Sequence, residues 1–382
     1  MAWTHYQKVL ALLMVITGSF NTLSVKYADK LTSKGKDGEL RHFTHPFMQS
    51  AFMFVGEMMC LLVFKLAFCY YNRQANGSVE TNALTKGSRD FNPKILAIPA
   101  LCDTIGTSIM YVGLTMTYAS SFQMLRGSVI IFTGILSVAF LERKLGTQKW
   151  TGIILVLLGL IIVGFTDFLT MKSEQKGTNS VVTGDLLIIC AQVITATQMV
   201  IEEKYVAGKD IPALQAVGWE GIFGFIGICL ALIPLNYIHA PPPFTDNSQG
   251  TLEDSIDALI QISNNGRLFM AIIGIMFSIA FFNFAGISVT KELSATTRMI
   301  LDSVRTLVIW AISLILGWQI FHYLQLFGFA FLIIGMCLYN DVIIPQLTRK
   351  CLCCLSRLLR TRSQSPDEEQ IVNTAADDVE NP

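Results

Sequence analysis

The sequence predicts an all-α integral membrane protein with ten transmembrane helices, arranged as two inverted repeats of five helices. Ten stretches are apolar over about the 20 residues that an α-helix needs to cross a bilayer. The last five stretches repeat residues of the first five in the same order. Charged residues make up 15% of the chain, against about 25% in soluble domains, which argues against a water-soluble protein.

The predicted spans are separated by short polar loops. In chain order they cover residues 8–25, 46–70, 95–116, 121–141, 149–168, 183–203, 213–236, 268–290, 297–316 and 320–341. Each is predicted to be helical because a helix satisfies its own backbone hydrogen bonds within lipid. Residues 1–170 form the first predicted repeat and residues 183–345 the second, and residues 346–382 are predicted to be a disordered cytosolic tail.

The repeat is visible in short matches at nearly constant spacing. Val-Ile-Thr at residues 15–17 recurs at residues 193–195. Further matches join Ser128 to Ser303, Gly152 to Gly328, and Gly159 to Gly335. Because each repeat has an odd number of spans, the second repeat is inserted upside down relative to the first. Inverted repeats of this kind place a substrate site between them near the membrane midplane, so the sequence predicts a transporter that works by alternating access.

The distribution of Lys and Arg predicts that both termini face the cytosol. With the N-terminus on that side, the cytosolic loops and tails hold 17 basic residues and the opposite loops hold eight. Short cytosolic loops carry the excess of positive charge in membrane proteins. The glycosylation sequon at Asn76 then lies on the cytosolic side and is predicted to stay unmodified.

Three segments outside the spans carry predictions of their own. A stretch beginning at Gly250 is predicted to form a short amphipathic helix at the membrane surface. The acidic run that ends in Ile371-Val372 resembles a dileucine sorting signal, although a solvated acidic run is the alternative. Cysteines 351, 353 and 354 follow the last span, where either palmitoylation or metal binding is open.

Ionisable side chains inside the spans are the candidate functional residues, because a charge at bilayer depth is costly unless it faces a cavity or a partner. Arg298, Asp302 and Arg305 are spaced to lie along one face of the ninth helix. Asp302 and Arg305 either bind substrate or neutralise each other as a structural pair. The sequence leaves both interpretations open.

The fourth span, which matches the ninth in the repeat, supplies the main candidate for substrate binding. Gln123, Arg126, Ile130 and Thr133 share its corresponding face. Arg126 has no carboxylate within one turn of its own helix, so its charge is predicted to be available to a ligand. Because a guanidinium donates two parallel hydrogen bonds to a carboxylate or phosphate, the two faces predict a cavity for an anion. The alternative is that Arg126 pairs with Asp103 or Glu57 and holds the bundle together.

Glu57, Asp103 and Glu220 are predicted to serve coupling or gating. Glu57 and Glu220 occupy corresponding helices of the two repeats, where either proton coupling or a hydrogen bond between helices explains them. Glycines at 218, 221, 224 and 227 in the seventh span are spaced to let another helix approach closely.

Other functional classes lack their motifs. We find no phosphate-cradling loop, zinc-ligand spacing or nucleophile elbow, so no cofactor, metal site or enzymatic activity is predicted. Asp103 and Asp302 could form the pair of an intramembrane aspartyl protease, but neither follows Gly-x-Gly. The net charge is zero, and no basic run is interleaved with aromatic residues, so nucleic acid is not an expected partner. A membrane adaptor that acts through the tail is the non-transport alternative.

Three stretches carry a family resemblance. They read FNPKILAIPALCDTIGTSIMYVGL at residues 91–114, SSFQMLRGSVIIFTGILSVAFL at residues 120–141, and FFNFAGISVTKELSATTRMILDSVRTLVIW at residues 281–310. With the two five-helix repeats, they resemble the drug/metabolite transporter superfamily and, more closely, the F branch of solute carrier family 35. The resemblance implies a secondary carrier or exchanger of a small organic, anionic metabolite. A proton-coupled carrier of organic cations is the alternative.

The resemblance also extends the predicted site and suggests a location. Residues 286–291 stand where nucleotide-sugar carriers have a glycine-to-lysine motif but differ from it at every interior position, so the substrate class stays open. Asn283 and Lys291 join the predicted substrate-binding residues. The resemblance implies a lysosomal or late endosomal membrane, with the Golgi or the mitochondrion as alternatives. Expected partners are the lipid bilayer, a small-molecule substrate and sorting adaptors or mitochondrial proteins, and a homodimer is left open.

Overall fold

The computed structural model describes residues 4–73, 86–88, 91–117, 122, 124–142, 146–170, 178–239, 249–293, 295–317 and 323–339. The predictions for Gln123, for the sequon at Asn76 and for the tail lie outside these residues.

Within the described residues the chain forms eleven α-helices and one short antiparallel hairpin. The helices are α1 (His5–Lys30), α2 (Pro46–Arg73), α3 (Ala97–Met116), α4 (Val129–Leu141), α5 (Thr147–Thr170), α6 (Thr178–Glu202), α7 (Ala213–Leu235), α8 (Ser255–Asn264), α9 (Gly266–Glu292), α10 (Ala295–Ile315) and α11 (Tyr323–Tyr339). The hairpin joins β1 (Thr32–Lys34) to β2 (Leu40–His42), with Ser33 opposite Arg41. We call the end of the bundle that carries this hairpin and α8 the hairpin end. The opposite end, where α1, α3 and α10 begin, is the loop end.

Each predicted span coincides with one helix, and α8 is the additional short helix predicted from Gly250. Among the described residues, six helices are long and apolar enough to cross a membrane: α1, α2, α3, α6, α7 and α9. Apolar stretches of 10–17 residues lie in α4, α5 and α11. The charges at Arg298, Asp302 and Arg305 lower the hydropathy of α10. An all-helical membrane protein is confirmed, and the count of ten membrane-spanning helices stays a prediction.

Polar caps fix where several helices begin. The Thr4 side chain accepts from Gln7 N while the Gln7 side chain accepts from Thr4 N, which satisfies two backbone donors at the start of α1. Asp254 caps α8, and Asn265 caps α9.

The helices pack in pairs that join the two predicted repeats. The most extensive contacts are between α1 and α9, α2 and α7, α3 and α6, and α5 and α11. Smaller contacts join α6 to α4 and α1 to α10. In each pair, one helix comes from the first half of the chain and the other from the second half. Neither half therefore forms a bundle of its own.

Glycines allow these pairs to approach closely. A Cβ added at Gly218 would lie 2.3 Å from the Cβ of Leu61, and one at Gly221 would lie 2.6 Å from the Cβ of Glu57. Gly224 meets Phe54 of the same helix α2. The predicted close packing of α7 is therefore confirmed at these three glycines, because small residues bring two backbones together. It is wrong at Gly227, where the nearest atom to an added Cβ lies 3.7 Å away.

The crossing of α5 and α11 is reciprocal. A Cβ added at Gly152 would lie 2.7 Å from the carbonyl oxygen of Gly335, and one at Gly159 would lie 2.8 Å from that of Gly328. In the sequence repeat, Gly152 corresponds to Gly328 and Gly159 to Gly335. If each glycine is replaced by its repeat partner, the contact of Gly152 with Gly335 becomes the contact of Gly328 with Gly159. A twofold axis through the crossing would relate the two contacts in this way.

Buried polar contacts tie α8 to the hairpin and to the start of α2. His45 Nδ1 lies 2.5 Å from Glu253 Oε1, and both side chains are fully buried. Ser33 Oγ donates to the carbonyl oxygen of Gln261 at 2.6 Å. The short helix is thus confirmed. One face of it packs on β1 and α9, while Ile256 and Leu259 on another face are exposed. Its position at a membrane surface stays a prediction.

Candidate functional site

A cavity of about 150 Å³ lies at the centre of the bundle. Side chains from α1, α2, α3, α6, α9 and α10 line it, together with the turn that precedes α4. The charged lining residues are Lys26, Glu57, Asp103, Arg126, Arg298, Asp302 and Arg305. The structure therefore brings together the sequence-predicted Arg126, Asp302, Arg305, Asn283, Glu57 and Asp103.

The part of the cavity nearer the hairpin end is basic. Asp302 Oδ1 lies 2.7 Å from Arg305 Nη2 on the same helix, and Asp302 Oδ2 lies 3.7 Å from Arg126 Nη2 across the bundle. Two guanidinium groups thus share one carboxylate. Arg126 was predicted to be available to a ligand because its own helix has no carboxylate within one turn. Asp302 of α10 nevertheless lies near it, so its charge is partly balanced from another helix.

The position of Arg305 depends on a glycine and a phenylalanine. Its guanidinium carbon lies 4.6 Å from the centre of the Phe282 ring, a cation–π contact. A Cβ added at Gly18 would lie 2.5 Å from Arg305 Cδ, so α1 leaves room for the side chain only because residue 18 is glycine. The Nε of Arg305 is buried and has no hydrogen-bond acceptor among the described residues. This donor is available to an acceptor in the cavity.

Lys26 supplies a third cation at this basic end. Its Nζ is buried and makes no hydrogen bond within the described part of the chain. Lys26 lies four residues before the end of α1. Sequence reasoning assigned it to the loop after the first span and therefore missed it. The sequence did contain a signal for this position. The helical spacing of the apolar residues of α1, which include Met14 and Val25, continues past Val25, and the helix itself extends to Lys30.

The part of the cavity nearer the loop end is acidic. Asn283 donates to Glu57 Oε1 at 2.5 Å, and Thr107 donates to Asp103 Oδ1 at 3.2 Å. Neither carboxylate has an ion-pair partner within 4 Å among the described residues. The alternative in which Arg126 pairs with either of them is therefore wrong.

Arg298 is the one cation at this acidic end in the described structure. It forms a buried ion pair with Glu202, whose other oxygen accepts from Gln198 at 2.8 Å. A Cβ added at Gly286 would lie 2.9 Å from Arg298 Nε, so this glycine lets the guanidinium pack against α9. Glu202 ends α6, and a π-helical turn, Glu203–Ala207, follows it. Single π turns of this kind occur often at functional sites.

Comparison with known proteins assigns the family. The family model for nucleotide-sugar transporters matches residues 4–233, more than half of the chain. Solute carrier family 35 member F6 of Homo sapiens is 52% identical over 371 residues, covering 97% of this chain and 96% of that protein. The chain belongs to solute carrier family 35. This protein is a membrane solute transporter and not an enzyme.

More distant matches agree with this family. A UDP-galactose transporter of Schizosaccharomyces pombe is 25% identical over 227 residues, covering 59% of this chain and 60% of that transporter. A protein of known crystal structure aligns with 95% of this solute carrier and 100% of its own chain, at a TM-score of 0.54 and 10% identity. At that identity the structural match bears on the fold alone.

Two predicted site residues lie outside the cavity of this solute carrier. Lys291 Nζ lies 2.8 Å from Asp210 Oδ1 and 3.4 Å from the carbonyl oxygen of Lys86, at the loop end. It is eight residues from Asn283, which places it about 12 Å farther along α9. Glu220 is buried where α7 crosses α2, and its Oε1 has no hydrogen bond in the described structure. Neither residue lines the cavity of this family member.

The predicted face of α4 also needs correction. Ile130 belongs to the apolar core beside α11, and Thr133 is fully buried away from the cavity. Among the described residues of the fourth predicted span, Phe122, Arg126 and Val129 reach the cavity. The reason is local: residues Arg126–Ser128 form a 3₁₀ turn before the α-helix starts. With about three residues per turn there instead of 3.6, the later residues rotate away from Arg126.

Proposed function

We propose that this protein is a secondary carrier that moves a small organic anion by alternating access, with Arg126 and Arg305 as the principal binding groups. The observation that carries the proposal is the charge balance of the basic end. Among the described residues that line this end, three are cations, Lys26, Arg126 and Arg305, and one is a carboxylate, Asp302. Asp29, which interacts with Lys26, lies outside the lining and is hydrogen-bonded to Gln49. A bound anion would offset this excess charge, which is costly at membrane depth.

The donors at the basic end suit a carboxylate or a phosphate group. The guanidinium of Arg126 is partly exposed to the cavity, and Arg305 Nε and Lys26 Nζ are buried without acceptors in the described structure. Buried donors in native proteins are nearly always hydrogen-bonded. Planar guanidinium groups bind oxyanions through two parallel hydrogen bonds.

The size of the cavity favours a small metabolite. At about 150 Å³, it lies below the roughly 300–1,000 Å³ of typical sites for drug-sized ligands. A nucleotide sugar, which the related UDP-galactose transporter carries by its name, needs a larger space than this conformation offers. We therefore propose an anion with few heavy atoms.

Alternating access is supported by the way the halves of the chain interlock. The proposed repeat matches α1 with α6, α3 with α9, and α5 with α11. It therefore converts the packed pair α1–α9 into the packed pair α6–α3, and it converts the pair α5–α11 into itself. The reciprocal glycine contacts at that crossing follow the same rule. Inverted repeats of five helices, with a site between them near the midplane, provide two equivalent conformations open to opposite sides.

The membrane location of the carrier is also part of the proposal. The excess of Lys and Arg in the loops on one side supports cytosolic termini. The acidic run before Ile371-Val372 supports delivery to endolysosomal membranes through sorting adaptors. Substrate would then move between the endolysosomal lumen and the cytosol.

Reconstituted transport tests the proposal. The purified full chain in liposomes is challenged with labelled small carboxylates, phosphate esters, nucleotide sugars, amino acids and organic cations. We expect saturable uptake of a small anion, abolished in Arg126→Ala and retained in Arg267→Ala, an exposed arginine outside the cavity. Normal uptake by a folded Arg126→Ala protein would contradict the proposed site.

A further inference from the structure

The acidic end of the central cavity has no role in binding an anion. Glu57 and Asp103 line the cavity there, and Glu202 and Glu220 are near enough to interact electrostatically with both. Arg298 is the one cation that the described structure places among these four acids, and its guanidinium is already paired with Glu202. The carboxyl groups of Glu57 and Asp103 therefore face the cavity without a cation paired to either in the described structure.

The two charged ends lie at a defined spacing along α10. Arg298 marks the acidic end and Arg305 the basic end, and both side chains line the cavity. They are seven residues apart, which corresponds to about 10 Å along a helix at 1.5 Å per residue. Apolar side chains, including Met14, Phe122 and Ile279, line the remaining surface of the cavity.

We propose that the substrate is a zwitterion whose ammonium group binds Asp103 and Glu57 while its anionic group binds Arg126 and Arg305. This inference rests on the proposed function and specifies the substrate class of the same cavity. One molecule with an ammonium group at one end and a carboxylate or phosphate at the other places a cation beside the carboxyl groups of Asp103 and Glu57 and an anion beside the guanidinium groups. Methylene groups between the two charges would contact the apolar lining.

Asp103 is the principal cation-binding group in this arrangement. Its Oδ1 accepts one hydrogen bond, from Thr107, and no ion pair within the described chain competes for it. Glu57 is held by Asn283 and contributes charge beside it. A carboxylate with free acceptor capacity that faces a cavity is the group an ammonium needs.

A series of ω-amino acids tests both the charge and the spacing. Binding of glycine, 4-aminobutanoate, 6-aminohexanoate and 8-aminooctanoate to the purified full chain is measured by competition and by thermal stabilisation. Butanoate and hexanoate serve as anions of matched length. We expect an optimum at an intermediate length, with the zwitterion binding about tenfold more tightly than the matched anion, as a hydrogen bond to a charged group predicts.

Variants at Asp103 test the binding of the ammonium group separately from the binding of the anion at Arg126 and Arg305. Asp103→Asn should bring the ratio of the affinities for 6-aminohexanoate and hexanoate, measured on the same variant, from about ten to about one. Asp103→Glu should restore part of the preference, which a merely structural role would not produce. Thermal unfolding of each variant verifies that it is folded.

The outcomes are distinguishable. Equal binding of hexanoate and 6-aminohexanoate, with both lost in Arg126→Ala, overturns the zwitterion and leaves the anion carrier standing. Failure of every ω-amino acid to bind also overturns the zwitterion. Proton uptake that accompanies hexanoate binding and disappears in Asp103→Asn would show that the acids bind protons instead. Binding that survives Arg126→Ala overturns the proposed function itself.

Discussion

Asp302 lies 3.7 Å from Arg126, a residue of the other half of the chain, while it also holds Arg305 at 2.7 Å on its own helix. This contact joins the two proposed repeats at the basic end of the cavity. An anion that binds both guanidinium groups would compete with Asp302 for their donors. Binding can therefore alter the link between the two halves, which is what a carrier requires when its substrate triggers a change of conformation.

The close contact of α7 with α2 gives a matched pair of variants. Gly218→Ala should destabilise the protein by about 1–3 kcal/mol, because the added methyl group overlaps Leu61. Gly227→Ala is the control on the same helix, since the nearest atom to its added Cβ is 3.7 Å away. We expect it to be neutral or slightly stabilising, because alanine favours a helix over glycine. Thermal unfolding of the detergent-solubilised protein measures both, and equal midpoints would contradict the observed crossing.

Glycosylation tests the orientation. Asp37→Asn with Glu39→Thr creates a sequon in the exposed turn of the hairpin, where the Asp37–Arg41 ion pair is worth at most about 1 kcal/mol. We expect this site to be glycosylated in cells and Asn76 to remain unmodified, because the basic loops predict a lumenal hairpin. The mobility shift on removal of N-glycans is the measurement. A glycan on Asn76 would reverse the proposed orientation.

The tail sequence makes a prediction about sorting. Changing Ile371 and Val372 together to Ala should move the protein from endolysosomal membranes to the plasma membrane, because adaptors bind branched apolar pairs that follow acidic residues. Changing Thr374 and Ala375 to Gly serves as the matched control. Microscopy of the tagged full chain measures the distribution. Unchanged endolysosomal staining would remove the sorting signal and leave the transport proposal intact.

Helical spacing predicted one part of the cavity well. It placed Asp302 and Arg305 on one face of α10, and they form a pair in the structure. It could not identify contacts between helices distant in sequence, such as that of Arg298 with Glu202. Those partners depend on how α6 and α10 cross.

Local geometry explains other errors at the site. The 3₁₀ turn at Arg126–Ser128 rotated Ile130 and Thr133 into the core, and no regular helical period predicts such a turn. Lys291 was placed in the site by resemblance, although its position along α9 brings it to Asp210. The glycine spacing of α7, by contrast, predicted the close contacts of Gly218, Gly221 and Gly224 and failed at Gly227. Small residues permit two helices to approach closely but do not require it.

Two lysines provide a direct comparison between cavity and periphery. Lys26→Ala should weaken the binding of small anions by about tenfold, because it removes a buried cation that lines the basic end. Lys291→Ala should change binding by no more than about fivefold, because Lys291 lies outside the cavity. Its ion pair with Asp210 is partly exposed to solvent and is therefore worth about 1 kcal/mol or less. Uptake by proteoliposomes over a range of concentrations measures both. A larger effect at Lys291 than at Lys26 would restore the assignment of Lys291 to the site.

Variants of the Asp302–Arg305 pair show whether these residues stabilise the fold, bind substrate, or do both. Asp302→Ala should lower the free energy of unfolding by about 3–5 kcal/mol, because it leaves the buried guanidinium of Arg305 without its carboxylate. The double change Asp302→Asn with Arg305→Gln should recover most of this stability, since it leaves no unpaired charge from the pair. We expect the double variant to remain inactive, because one of the two guanidinium groups that bind the anion is missing. Recovery of both stability and uptake would show that the pair is structural only and that Arg126 binds substrate without Arg305.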